Sequence, residues 1–112
     1  MFDDPSLPTH LRVGGIVRRL NSDGQPAYIL AKGDPDRGTL LIKLIGRDRS
    51  CRLELEQRDI EGVLRWMPAL PDASPDEAKA DAYIERTRAR DPDVWVIEIE
   101  VADATTPNPF AD

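Results

Sequence analysis

Two periods of apolar spacing run along this chain, one helical and one extended. Val13, Ile16, Val17 and Leu20 recur at i, i+3, i+4 and i+7, the single stripe of a surface helix, with Arg12, Arg18 and Arg19 off it. Thr9 stands where an N-cap hydroxyl would accept from an orphan backbone N–H. Gly14 and Gly15 each cost a helix interior about 1 kcal/mol, and small residues also permit close packing on a sheet. The turn formers of Asn21-Ser22-Asp23-Gly24-Gln25-Pro26 end the helix.

Strand patterns follow. Ala27–Ala31 is a short apolar run of the kind buried on both faces, and Thr39–Ile45 is a second β-rich run. The loop between them, Gly33-Asp34-Pro35-Asp36-Arg37-Gly38, favours an antiparallel hairpin. Ser50–Glu56 alternates, placing Cys51, Leu53 and Leu55 inward and Arg52, Glu54 and Glu56 toward water. Val63–Met67 adds a short strand that stops at Pro68. Ser74-Pro75-Asp76-Glu77 reads as a capping box, with Ser74 as N-cap, Pro75 at N1 and Glu77 reaching back from N3. It opens a helix to about Arg90 that buries Ala80, Tyr83, Ile84 and Thr87. Val94–Val101 is the last strand. Trp95, Ile97, Ile99 and Val101 share one face, and its first half is apolar on both, which places it away from an exposed edge.

The order helix-strand-strand-strand-(strand)-helix-strand predicts an α+β fold. We expect a mainly antiparallel sheet of four to five strands with both helices on one face. Residues 1–8 read as a flexible arm, 9–101 as a single domain, and 102–112, with Pro107 and Pro109, as a flexible tail.

Composition narrows the class. With 112 residues, 40% hydrophobic and 32% charged, the chain suits one folded domain. No run approaches the length of a membrane span, and the acidic start Met1-Phe2-Asp3-Asp4-Pro5 lacks a secretory signal pattern. One cysteine, Cys51, gives no internal disulfide, so a cytoplasmic location is expected. The net charge of −6 is uneven: residues 10–65 carry eleven Lys/Arg against eight Asp/Glu, and residues 66–112 carry four against eleven.

Three segments together resemble a known group. Arg18-Arg19 after an apolar helix, Lys32-Gly33-Asp34 after a buried strand, and Asp91-Pro92-Asp93-Val94-Trp95-Val96-Ile97-Glu98-Ile99-Glu100 near the end are similar to a small bacterial family, domain of unknown function 1491. The resemblance covers most of residues 10–101, and its last segment is the most specific. It implies a class of proteins and carries no activity, so no functional residue transfers with it.

The residues themselves hold few catalytic arrangements. One His and one Cys exclude a zinc site built from Cys and His. Asp34-Pro35-Asp36-Arg37-Gly38 is a weak calcium-loop pattern, since the twelfth position falls on Ile45 where a bidentate Glu is required. His10 lies beside the arm, a poor seat for a positioned base, and Cys51 faces inward as a small core residue. Gly14-Gly15 lacks the spacing and the lysine of a phosphate loop.

Glu98 and Glu100 share a strand face about 7 Å apart, with Asp91 and Asp93 before them and Lys32 and Lys43 on other strands. Such a cluster would suit a metal-assisted hydrolase or nuclease, although alternating glutamates also mark any solvated strand face. A nucleic-acid-binding module would use Arg12, Arg18, Arg19, Arg47, Arg49 and Arg52, against which stands a pI near 4.7. The leading expectation is a non-enzymatic interaction or accessory protein with a protein partner or a second copy, no cofactor and no membrane. Its candidate surface comprises Arg18, Arg19, Lys32, Asp34, Asp91, Asp93, Trp95, Glu98 and Glu100. Trp66 and Met67 are either a contact patch or core.

Overall fold

In the computed structural model, which describes residues 7–72, 75–103 and 105–111, the elements follow the expected order. Helix α1 (Thr9–Ser22) precedes strands β1 (Ala27–Ala31), β2 (Leu40–Gly46), β3 (Cys51–Arg58) and β4 (Leu64–Pro68); helix α2 (Glu77–Arg90), strand β5 (Trp95–Val101) and a 3-10 turn (Pro109–Ala111) complete the chain. The class is α+β, with one five-stranded sheet in the order β1-β5-β2-β3-β4.

The sheet is mixed, a departure from the antiparallel expectation. β5 inserts between β1 and β2, antiparallel to the first and parallel to the second. The loop 33–38 therefore does not close a β1–β2 hairpin. β5 takes an interior position, one strand in from the edge, because its first half is apolar on both faces, a property that only a covered, doubly hydrogen-bonded position rewards. The parallel pairing needs a long crossover, which β3, β4 and α2 provide.

The helices lie on opposite faces, correcting the one-sided expectation. α1 buries Val13, Ile16 and Leu20 against Leu40, Ile42, Leu44, Trp95, Ile97 and Ile99. α2 buries Ala80 and Ile84 against Leu41, Leu53, Val94, Val96 and Cys51. β2 and β5 send apolar side chains to both sides, so each side needs its own cover. β1 is an edge strand with Tyr28 and Leu30 about half exposed, contrary to the two-face burial its apolar run suggested. β3 has no open side either: Glu56 is buried.

The helix starts also differ. The side chain of Asp76, the N-cap of α2, accepts from the Lys79 backbone N–H at 2.8 Å. Ser74, expected as the cap, lies outside the described residues. The Thr9 hydroxyl does not cap α1; it donates to the carbonyls of Asp36 and Gly38, both at 3.2 Å, stitching the helix to the 33–38 loop.

The segment after β5, expected as a tail, is docked over residues 105–111. Phe110 is buried in the α1-side core, edge-to-face with the half-buried Trp66 at 6.4 Å. Asn108 donates to Glu54 at 3.0 Å and Arg52 to the Thr106 carbonyl at 2.8 Å. One aromatic in a proline-rich stretch shows no periodicity, so this anchoring has no pattern to announce it. Of the expected arm, only Leu7 and Pro8 are among the described residues. Among these residues no helix is long and apolar enough to cross a membrane.

Truncating the aromatic anchor tests the docking. Phe110→Ala should lower the unfolding free energy by about 3–4 kcal/mol, read as a lower urea midpoint. An unchanged midpoint would show that the segment is not part of the cooperative core.

Candidate functional site

The candidate residues fall into three places. The first is a lock at the N-terminal ends of β2 and β5. The Asp34 backbone N–H donates to the Asp93 carbonyl at 3.0 Å, and the Trp95 indole Nε1 donates to the Asp34 carbonyl at 2.7 Å. The carboxylate of Asp34 accepts from the N–H groups of Asp36 and Arg37, at 2.8 and 2.9 Å. Those N–H groups, Arg37 first, hold its pKa below the ordinary value. Asp91 caps the second loop by accepting from the Asp93 N–H at 3.0 Å. The loops touch so closely that a Cβ on Gly33 would collide with the Asp93 carbonyl, and one on Gly38 would lie 2.6 Å from the Trp95 ring. Asp34, Asp91, Asp93 and Trp95 are thus bonded to one another's backbones. His10 joins them, its Nδ1 donating to the Pro35 carbonyl at 3.0 Å.

The second place is a carboxylate cluster on the α2 face. Lys43, in the middle of the apolar run of β2, is 3% exposed. Its Nζ donates to Glu77 and Asp81 of α2, each at 2.8 Å, and pairs with Glu98 of β5 at 3.3 Å. Burial pushes Lys43 toward its neutral form, but the bonds from Asp81, Glu77 and Glu98 outweigh it and hold its pKa well above the ordinary value. Glu100 turns to the edge, where Tyr28 Oη donates to it at 3.3 Å; its charge raises the phenol's pKa. The expected partner, Lys32, is exposed at the end of β1 and takes no part in these bonds. A lysine ammonium thus occupies the centre of the carboxylates, and no three His, Cys, Asp or Glu among the described residues are grouped to hold a metal ion.

The third place is α1, where Arg18 and Arg19 are exposed. α1 covers the opposite face of the sheet from Glu98, so the structure does not bring these arginines to the acidic cluster. Two of the six arginines weighed for nucleic acid are occupied within the fold. Arg12 is buried in a bidentate pair with Glu56, at 2.9 Å for the Nη1–Oε1 contact, and Arg52 is engaged by Thr106 and Glu54. Cys51 is fully buried, and that burial raises its thiol pKa.

Two of these groups carried an overlooked signal. Arg12 precedes Ile16 by four residues and so shares its buried face. Lys43 stands among Leu40, Leu41, Ile42, Leu44 and Ile45, a setting in which a charge is buried and must be paired. Tyr28 and Glu56 showed no such mark, because their partners, Glu100 on β5 and Arg12 on α1, lie far away in sequence.

The profile described as protein of unknown function (DUF1491) matches residues 7–108. The chain belongs to the DUF1491 family. A crystal structure of a DUF1491 protein from Caulobacter crescentus CB15 superimposes with TM-score 0.80 at 35% identity, covering 93% of this chain and 94% of that one. An NMR structure of a DUF1491 protein from the same organism gives 0.79 at 34% identity, covering 95% and 93%. A solution structure of a protein from A. tumefaciens, 22% identical, shares the fold with TM-score 0.71 over 92% of this chain and 98% of that one. No curated protein matches.

In this DUF1491 protein, the two buried cations generate predictions of opposite kind. Glu56→Leu leaves the Arg12 charge unpaired beneath α1 and should cost about 3–5 kcal/mol, whereas Arg12→Met with Glu56→Leu should recover most of that loss in urea unfolding. Equal destabilisation in the single and double variants would show that packing, not charge, sets the cost. For Glu77, the bond from Lys43 lowers the folded pKa from its ordinary 4.5. Its stabilisation is therefore present above that value and is lost as pH falls through the folded pKa. Glu77→Gln should lower the urea midpoint at pH 7, with the gap to the parent narrowing as pH falls below 4.5 and closing through the lowered folded pKa. A gap that persists in acid would rule out an ionic contribution.

Proposed function

We propose that this DUF1491 protein is a non-enzymatic, cytoplasmic interaction module that takes up a basic, extended segment of a partner protein along β1. The carrying observation is the state of that strand. β1 is the outer strand of the sheet, its five residues hold neither charge nor proline, and Tyr28 and Leu30 stand 47% and 48% exposed. An edge strand offers unpaired N–H and C=O groups to an incoming strand, and natural proteins usually guard such edges with charges or prolines. On β1 the Asn21 side chain takes the Ala27 N–H and C=O, at 3.1 and 3.0 Å, so an incoming strand would pair beyond Ala27. Here a register slip between Ile29 and Ala31 is the irregularity of the pairing with β5.

Charge supports a basic occupant. Beside β1 lie Glu98 and Glu100, and beyond them Glu77 and Asp81; Lys43 pairs with Glu77, Asp81 and Glu98, while Glu100 accepts only from the Tyr28 hydroxyl among the described residues. Opposite charges opposed across strands stabilise pairing, and like charges oppose it. A second copy would bring the same carboxylates to the seam, so self-pairing is the disfavoured occupancy. Lys and Arg on the incoming strand would meet Glu98 and Glu100, while its apolar positions covered Tyr28 and Leu30.

The test compares the parent with Leu30→Lys/Glu100→Lys, two exposed changes that place cations on the edge. Pull-down from lysate of the source cells, quantified by mass spectrometry, should give a stoichiometric partner with the parent and at least about tenfold less with the variant, at an unchanged melting temperature. A partner retained equally by the variant, or no stoichiometric partner with either, sinks the reading. Sedimentation velocity distinguishes the second copy, for which a concentration-dependent dimer abolished by the same variant would be diagnostic.

A further inference from the structure

A cleft of about 1150 Å³ opens at the end of the sheet where β3 finishes and β2, β4 and β5 begin, walled by the start of α1 and the last turns of α2. None of its lining residues belongs to β1, so it is separate from the edge discussed above. That volume is enough to admit a small organic molecule.

Its charge runs against that of the whole chain. The net charge is −6, yet the cleft gathers Arg12, Arg37, Arg58 and Arg90 against Asp36, Glu56 and Asp91. Glu56 is already engaged by Arg12, and the carboxylate of Asp91 accepts from the Asp93 N–H. The side chains of Arg37 and Arg90 make no hydrogen bond or ion pair among the described residues, and Arg58 donates only to the Gly62 carbonyl, at 2.8 Å. Guanidinium donors therefore remain unused around a single opening, and such forks match a carboxylate or phosphate.

The walls supply a second, independent sign. Arg12 Nε and Thr87 Oγ1 are buried polar atoms without a hydrogen-bond partner, in residues only 6% and 9% exposed, and both residues line this cleft. Buried polar groups are nearly always paired, so each unpaired one marks a cost, which a molecule in the cleft relieves if the side chain turns to meet it. Leu55, Leu64 and Tyr83 add apolar surface to the same lining.

We propose that this cleft binds a small organic anion, its carboxylate or phosphate held by Arg37 and Arg90 and its apolar body laid against Leu55, Leu64 and Tyr83. The inference does not depend on the β1 reading, and its test leaves Leu30 and Glu100 intact.

The probe is 8-anilinonaphthalene-1-sulfonate, an anion with an apolar aromatic body, titrated by fluorescence and by amide chemical shifts on the folded protein. Expected is saturable one-to-one binding, with shifts at Thr9, Arg37, Thr87 and Arg90. The dissociation constant should rise about tenfold or more in Arg37→Ala/Arg90→Ala, whose melting temperature should stay close to the parent's because neither side chain has a hydrogen bond or ion pair to lose among the described residues. Arg58→Ala provides a second variant in which affinity should fall. Displacement by phenyl phosphate, and not by phenylacetate, would assign a phosphate ligand; the reverse would assign a carboxylate. Failure to saturate, shifts confined to other surfaces, equal affinity in the double variant, or displacement by neither competitor would overturn the proposal.

Discussion

Strand β5 carries apolar side chains to both faces of the sheet and is hydrogen-bonded along both edges, to β1 on one side and to β2 on the other. That placement commits the rest of the molecule. An interior strand with apolar side chains on both sides demands cover on both sides, which sends α1 to one face and α2 to the other. The parallel alignment of β2 with β5 brings the loops before them, 33–38 and 91–93, to the same end of the sheet. There Gly33 and Gly38 admit the Asp93 backbone at a distance no side chain would tolerate, and Trp95 closes the contact by bonding the Asp34 carbonyl. Asp34, Asp91, Asp93 and Trp95 therefore act on one another's backbones, joining two segments far apart in sequence.

Each covered face also holds one buried cation. Arg12 meets Glu56 beneath α1, and Lys43 meets Glu77, Asp81 and Glu98 beneath α2. A buried ion pair adds little net stability over a well-packed apolar pair, but it penalises any arrangement that leaves one partner alone. Arg12 fixes how α1 sits against β3, and Lys43 fixes how α2 sits across β2 and β5. The same two pairs border the surfaces with unmet bonding capacity, the acidic margin of β1 and the arginine-lined cleft at the opposite ends of β2 and β5.

Most local elements could be read from spacing alone, because helix and strand periods are properties of neighbouring residues. The stripe Val13-Ile16-Val17-Leu20 became the buried side of α1, and Ala80, Ile84 and Thr87 that of α2. The two-sided apolar character of Val94–Val101 correctly placed it away from an edge. Ala27–Ala31 misled for the converse reason: a five-residue apolar run looks the same at an edge as at the centre. In the candidate site, Glu98 and Glu100 were legible as a shared face, but Lys43 rather than Lys32 supplies the cation, because only strand order decides which lysine lies beside Glu98.

The sequence by itself determined the order and type of the helices and strands, with the fourth strand left open, and the amphipathic side of each helix, since these follow from interactions within a few residues. It also settled the membership of an α+β class and the uneven distribution of charge. Tertiary structure alone decided that β5 separates β1 from β2, that the helices take opposite faces, that Arg12 and Lys43 are buried, and that Phe110 anchors the C-terminal segment. Those outcomes depend on side chains tens of residues apart competing for the same covered surface, and local periodicity holds no record of that competition.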